Sequence, residues 1–359
     1  VDRGPAVTAG YIKLTAYFGE RQRHEGCVLA DELLDLYGDT EVATSVVLRG
    51  IASFGPGHQV RTDRSLSMSE DPPIAIIAVD FADKMTPLAE QVVAMTTRGL
   101  VTLERARLVE HPGATTSDAA KLTVYLGRQD RVAGQPAHQA VCQALYRHGF
   151  AGASVFLGVD GTNHGRRRRA GFFSRNAEVP EMLIAVGSAS QVDAVVPELQ
   201  TMLRDPLWTL ERVQLCKRDG HVLARPPALP ATDGDGLPLW QKLMVYTSES
   251  THHDGAPIHR ALVRRLRESD AASGATVLRG VWGFHGDHEP HGDKLFALTR
   301  RVPVTTIIVD TPARIAAAFD IVDELTGTHG LVTSELVPAL VAVDGAERVG
   351  DTRLAHFEF

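Results

Sequence analysis

The chain has 359 residues, 44% of them hydrophobic, enough to bury cores for two or three domains. A net charge of −7 and a pI near 6.1 argue against a dedicated nucleic-acid binder. Three unpatterned cysteines (Cys27, Cys142 and Cys216), no secretion signal and no apolar run near the ~20 residues that span a bilayer lead to the expectation of a cytoplasmic protein.

In chain order, the first element is KLTAYFGERQRHEG from residue 13, and it returns as KLTVYLGRQDRVAG from 121 and KLMVYTSESTHHDG from 242. In the second copy Leu122, Val124 and Leu126 alternate with Lys121, Thr123 and Tyr125, which is strand periodicity. A helix follows, with Leu29, Leu33, Leu36 and Tyr37 on one face of the first copy and Ile258, Leu262 and Leu266 in the third. Pro136 and Pro257 suit a first helical turn. A β-branched run comes next (46–48, 155–157, 276–278), closing on Gly50, Gly158 or Gly280. A long polar loop (51–72, 159–179, 281–302) then leads to an unbroken apolar strand at 74–79, 182–186 and 304–309. Thr311 and Pro312 mark the start of a second helix with Ile315, Phe319 and Val322 on its apolar face, and Pro197 predicts a kink or late start in the second copy. GLVTLE (99–104), PLWTLE (206–211) and GLVTSE (330–335) open the closing strand.

The order β-α-β-β-α-β is the ferredoxin-like split βαβ unit, so the fold class is α+β, three tandem ferredoxin-like domains. The boundaries read as 11–110, 119–217 (the degenerate copy) and 240–341, with a Pro- and Gly-rich linker at 218–239, a shorter one at 110–120 and a tail at 342–359 that adds a strand or clamp. Both helices of such a unit cover one sheet face. The other face should then alternate apolar and polar residues if it met water, and the 74–79 strand does not. The three sheets are therefore expected to pack inward around an intrachain pseudo-threefold axis, as a self-contained monomer.

KLTAYFGE, VVLRGIASFG (46–55), LSMSEDPPIAIIAVD (66–80) and GLVTLE resemble the domain-of-unknown-function-190 family, which is similar in fold to the PII signalling proteins. The resemblance implies a covalent fusion of what PII-like proteins assemble as homotrimers, with assembly made intramolecular by the tether. It also implies a non-enzymatic regulator that binds a small anionic effector, such as an adenine nucleotide, in clefts between units and signals through the long loops. A membrane transporter or channel is the partner it suggests. Carried over, the cleft residues are Arg49, Gly50, Phe54, Gly55, Thr97, Arg98 and Gly99 in repeat 1, and Arg279, Gly280, Gly283, Phe284, Thr328, His329 and Gly330 in repeat 3. Glycine admits a close anion and arginine donates to it. Repeat 2 departs: Pro206 stands where the other copies have glycine, and Leu157 where they have arginine, so at least one cleft should be unlike the others. None of the long loops contains tyrosine, which excludes tyrosine nucleotidylation there.

Other constellations give the alternatives. His285, His288 and His291 recur every third residue, with Asp287 between them, Asp293 after them and His252-His253-Asp254 at the end of the first strand of the same repeat, a donor set suited to a divalent metal. Arg166–Arg169 reads as a solvated face, Cys142 as core, Cys27 as an inert thiol, and Asp80 and Asp310 as helix-start residues. Ser65, Ser67 and Ser69 are open to modification. No nucleophile–base or paired-carboxylate set recurs in each copy. A metal-linked regulator, a cofactor-free ferredoxin-like enzyme and a scaffold with decayed pockets remain as competing readings.

Overall fold

The structure is a computed structural model that describes residues 10–55, 61–62, 71–109, 119–163, 165–169, 179–204, 206–286, 289–292 and 302–357. Ser65, Ser67, Ser69, His288, Asp287, Asp293 and the 110–118 linker lie outside them. Repeat 1 contains β1 (Tyr11–Gly19), α1 (Leu29–Asp39), β2 (Thr44–Phe54), β3 (Pro73–Phe81), α2 (Ala82–Met95) and β4 (Arg98–Leu108). Repeat 2 contains β5 (Ala119–Gly127), α3 (Ala137–Arg147), β6 (Gly152–Leu157), β7 (Asp160–Asn163), β8 (Pro180–Gly187), α4 (Ala189–Met202) and β9 (Leu207–Arg218). Repeat 3 contains β10 (Trp240–Ser248), α5 (Ile258–Glu268), β11 (Ala275–Arg279), β12 (Trp282–His285), β13 (Pro303–Asp310), α6 (Pro312–Thr326) and β14 (Leu331–Val337), and β15 (Ala339–Asp344) and β16 (Glu347–Asp351) follow.

Alternation decides which way each strand looks. On β1, Ile12, Leu14, Ala16 and Phe18 join α1 and α2 in the core of repeat 1, while Tyr11, Lys13, Thr15 and Tyr17 occupy the opposite face. On the continuous strand β3, Ile74, Ile76 and Ala78 belong to that same core, whereas Ala75, Ile77 and Val79 enter a second cluster. That second cluster is shared by all three repeats, with Met182, Ile184 and Val186 from β8 and Ile307 and Val309 from β13. The strand that failed to alternate is thus buried on both faces, one by its own helices and one by the neighbouring sheets.

Within repeat 1 the antiparallel order is β2-β3-β1-β4. Neighbouring units then exchange strands in a cycle. The end of β2 pairs with β11 (Ala275↔Phe54), β12 pairs with β6 (Ser154↔Gly283), and β7 pairs with the start of β2 (Asp160↔Val47). The closing strands repeat the pattern: β4 ends on β9 (Thr209↔Leu108), β9 ends on β14 (Leu215↔Thr333), and β15 returns to the start of β4 (Asp344↔Arg98). The circuit β4-β1-β3-β2-β11-β13-β10-β14-β9, back to β4, is a closed nine-stranded antiparallel barrel-like sheet. Strand β15, with Ala339, Val341 and Val343 buried on the core of repeat 1, supplies the last pairing of the closing strands, so the segment read as a tail begins within this strand.

Small details differ from expectation. Pro136 and Pro257 sit at the N-cap positions, directly before α3 and α5, and not inside the first turn. Helix α4 starts at Ala189 behind a Ser188–Gln191 capping box and runs through Pro197, so that proline does not delay it. Pro197 is on the exposed face, where water can satisfy the carbonyl it leaves unpaired.

Strand exchange carries side chains into foreign cores. Phe54 of repeat 1 packs in the core of repeat 3, and Phe284 of repeat 3 packs in that of repeat 2, edge-on to Tyr146 at 5.4 Å between ring centroids. Glycine permits the approach, since a Cβ on Gly283 would lie 2.2 Å from the Ala153 carbonyl oxygen and one on Gly161 2.3 Å from that of Ser45. Phe284→Ala should therefore cost about 3–5 kcal/mol in urea unfolding, with faster hydrogen exchange appearing first in α3, in a different repeat from the substitution. Loss confined to repeat 3 would contradict the exchange.

Candidate functional site

At the centre of the barrel, β1, β5 and β10 each present a lysine on the face turned from their helices, and β4, β9 and β14 each present a glutamate. Lys13 pairs across its ladder with Glu104, Lys121 with Glu211 and Lys242 with Glu335. Each lysine also reaches the next unit. Lys13 Nζ lies 2.9 Å from Glu104 Oε2 and 2.8 Å from Glu211 Oε2. Lys121 Nζ lies 2.5 Å from Glu211 and contacts Glu335, and Lys242 Nζ lies 3.2 Å from Glu335 and contacts Glu104. Three cations and three anions thus alternate in one closed ring, all buried. The Thr209 hydroxyl donates to Glu211 Oε1 at 3.2 Å.

Burial alone would raise the Glu104 and Glu211 carboxyls. Facing lysines outweigh it, Lys13 first for Glu104 and Lys121 first for Glu211, so Glu104 falls far below the ordinary range and Glu211 to about 2. Burial would lower the Lys13 and Lys121 ammonium groups, yet the glutamates hold both above their usual value. For Lys242 burial prevails over Glu104 and Glu335 and lowers it, making it the least tightly protonated of the three. The three carboxylates approach within 4.8 Å, as in a metal site, but three ammonium groups already balance them. The adjoining axial cavity is about 30 Å³, room for a water or two and too small for an organic effector.

Ligand-sized space lies instead in clefts between units. Each is built from the end of one unit's first strand, the turn before its last strand, and the start of the neighbour's second strand. The cleft on repeat 1 (about 210 Å³) brings together Phe54, Gly55, Arg98 and Gly99 of the expected set, with Ser273–Thr276 of repeat 3. Asp344 Oδ1 accepts from Arg98 Nε at 2.7 Å, and Gly345 N–H donates to the Thr97 carbonyl at 2.9 Å, so the closing segment occupies the turn expected to hold an anion. The cleft on repeat 2 (about 660 Å³) lies against Ala43 and Thr44 of repeat 1 and is lined by Arg131, Arg166, Arg168 and Arg204. The cleft on repeat 3 is nearly closed, about 10 Å³, with a linker hairpin at Gly220 seated on Thr328 and Asp219 N–H bonded to the Gly330 carbonyl. The three clefts are unequal.

Other expected residues have local work. Arg49 pairs with Glu20, and Arg279 with Glu249 at 2.8 Å. Gly50 and Gly280 fit against the proline that opens the third strand and a neighbour's carbonyl, Val277 and Val155 respectively. His329 sits exposed on its turn. His285 ends β12, and His291 is bonded through Nδ1 to the Glu289 carbonyl at 2.8 Å; among the described residues neither joins a convergent triad of ligands. His253 lies 3.5 Å from Asp254. Arg167 is not a solvated side chain: it reaches Asp160 Oδ2 at 2.9 Å, Asp35 Oδ1 at 3.0 Å and Asp31, the last two on α1 of repeat 1. Asp80 and Asp310 are buried and accept from the Ala43 and Ser273 N–H groups ahead of the second strand, as well as from the residue that follows each of them.

Three segments, 11–108, 119–215 and 240–339, match the profile of the DUF190 family, described as uncharacterized ACR. The chain belongs to that family, three times over. It is also similar to a UPF0166 protein of Aquifex aeolicus (strain VF5), with 33% identity over 99 residues, 27% of this chain and 90% of that protein. No described helix is long and apolar enough to cross a membrane.

Sequence reasoning missed the ring, although KL and the closing Glu recur in every DUF190 copy, repeat 2 included. Glu104 and Glu211 have lowered pKa values, so their stabilisation is complete above the ordinary glutamate value near 4.3 and is lost as pH falls toward about 2. Thermal midpoints should drop steeply over that window. Glu211→Gln should cost about 3–5 kcal/mol at pH 7 by leaving Lys121 and Lys13 short of a partner, and should flatten the acid limb. An unchanged acid limb would contradict the charged ring.

Proposed function

We propose that each unit is a ferredoxin-like domain, that the three form a PII-like pseudo-trimer within one chain, and that the protein is a non-enzymatic regulator whose inter-repeat clefts take a small anionic effector. The observation that carries this reading is the threefold recurrence of one cleft construction: the end of a first strand, the turn before a last strand and a neighbour's second strand. A ligand there touches two units at once, so its binding energy biases how they sit together and reaches the long loops that leave the second strands. In the repeat 1 cleft, four of the residues expected from the family resemblance line one space.

Thermal-shift screening with adenine nucleotides, inorganic anions and divalent metals tests the reading. A true effector present at 100 times its Kd should stabilise the protein by about 2.7 kcal/mol and raise the midpoint by several degrees. Chromatography of the incubated nucleotide should recover it intact. Shifts with zinc or nickel alone, or turnover of the nucleotide, would replace this reading with the metal-linked or the enzymatic one.

A further inference from the structure

Strand alternation divides the tetra-arginine run into two jobs. Residues 166 and 167 pair back onto β7 (Thr162↔Arg167, Asn163↔Arg166), and Arg168 N–H donates to the Gly161 carbonyl at 2.7 Å. Successive side chains on such a hairpin point to opposite sides. Arg167 and Arg169 face the carboxylates of Asp160, on the hairpin itself, and of Asp31, which fastens the hairpin to α1 of repeat 1. Arg166 and Arg168 line the cleft, where Arg131 and Arg204 meet them from the other wall.

Among the described residues, Asp130 is the one acidic residue lining the cleft with these four arginines, and its carboxylate already accepts the Gly127 N–H at 2.7 Å. The chain as a whole carries −7, so this cationic concentration is local. Guanidinium groups bind phosphate oxygens in pairs. The volume of about 660 Å³ falls within the range of small-molecule sites. Leu126, Val132 and Leu207 add an apolar wall, which suits a ligand with an organic body as well as several negative charges. In the repeat 1 cleft Asp344 answers Arg98, and Asp71 lies 3.5 Å from Arg61. The repeat 3 cleft has no room.

We infer that the cleft between repeats 1 and 2 is the polyanion site of this chain, one per molecule, and that it takes a small organic molecule bearing two or more phosphates through Arg131, Arg166, Arg168 and Arg204. This rests on the cleft reading above but places the site in the copy whose family motif is most eroded. Pro206 replaces its turn glycine, and the arginines that line the cleft belong to no family motif.

Calorimetric titration of the full chain at 150 mM salt with phosphate, pyrophosphate, tripolyphosphate and ATP tests it. Affinity should rise at least tenfold per added phosphate across the inorganic series, ATP should bind more tightly than pyrophosphate, and each should saturate at one equivalent per chain. Arg166 and Arg204 are exposed, so the double variant Arg166→Ala, Arg204→Ala should keep its melting profile while weakening tripolyphosphate at least thirtyfold. Arg98→Ala should change that affinity less than twofold. If Arg98→Ala abolishes binding and the double variant does not, the inference fails while the cleft reading survives, relocated to repeat 1. If no polyphosphate binds at millimolar concentration the inference fails as well, and the cleft reading then stands or falls on whether any other effector stabilises the protein.

Discussion

Each ammonium group buried on the axis is bridged by two carboxylates, one from its own unit and one from the next. Lys13 has Glu104 on its own ladder and must take Glu211 from repeat 2; Lys121 and Lys242 stand in the same relation to their neighbours. A unit on its own would leave one lysine–glutamate pair on an uncovered sheet face, each ion without the second partner that a neighbouring unit supplies. The charge requirement and the hydrophobic requirement therefore point the same way. Burying the second faces of β3, β8 and β13 brings the ring together, and the ring allows one relative rotation of the three sheets.

Strand exchange secures the same closure at the periphery. Each second strand and each closing strand begins in its own unit and finishes on the next, and aromatic knobs such as Phe284 travel with them. The segment after repeat 3 completes the cycle that two linker-bearing strands began. With the order of units fixed by the chain, each cleft is free to differ: one holds Asp344 against its arginine, one is filled by a linker hairpin, and one gathers four guanidinium groups. Repeat 2 shows how the two layers separate. It retains Lys121 and Glu211 on the axis while carrying Pro206 at the cleft.

Periodicity made much of this legible. The six-element order of each unit, the two-sided burial of the 74–79 strand and the inward packing follow from alternation or its absence. What alternation cannot supply is the identity of a partner. Lys13 falls on the strand face turned from the helices, and Glu211 stands in the closing motif of another repeat; only the packing of the three sheets brings them to 2.8 Å. Phe54 and Phe284 line clefts and also pack in a neighbour's core, a second placement hidden from the sequence because those neighbours belong to another repeat. Arg166–Arg169 reads as one charged run, and only the hairpin pairing shows that alternate members face an acidic helix and an open cleft.

Light scattering coupled to size exclusion, repeated over a hundredfold dilution, measures most directly whether one polypeptide closes its own ring. Every ionic partner and every exchanged strand is supplied in cis, so the mass should stay near 38.8 kDa throughout. A mass near three times that value, dissociating on dilution, would mean that the units find their partners on other chains and would contradict the account.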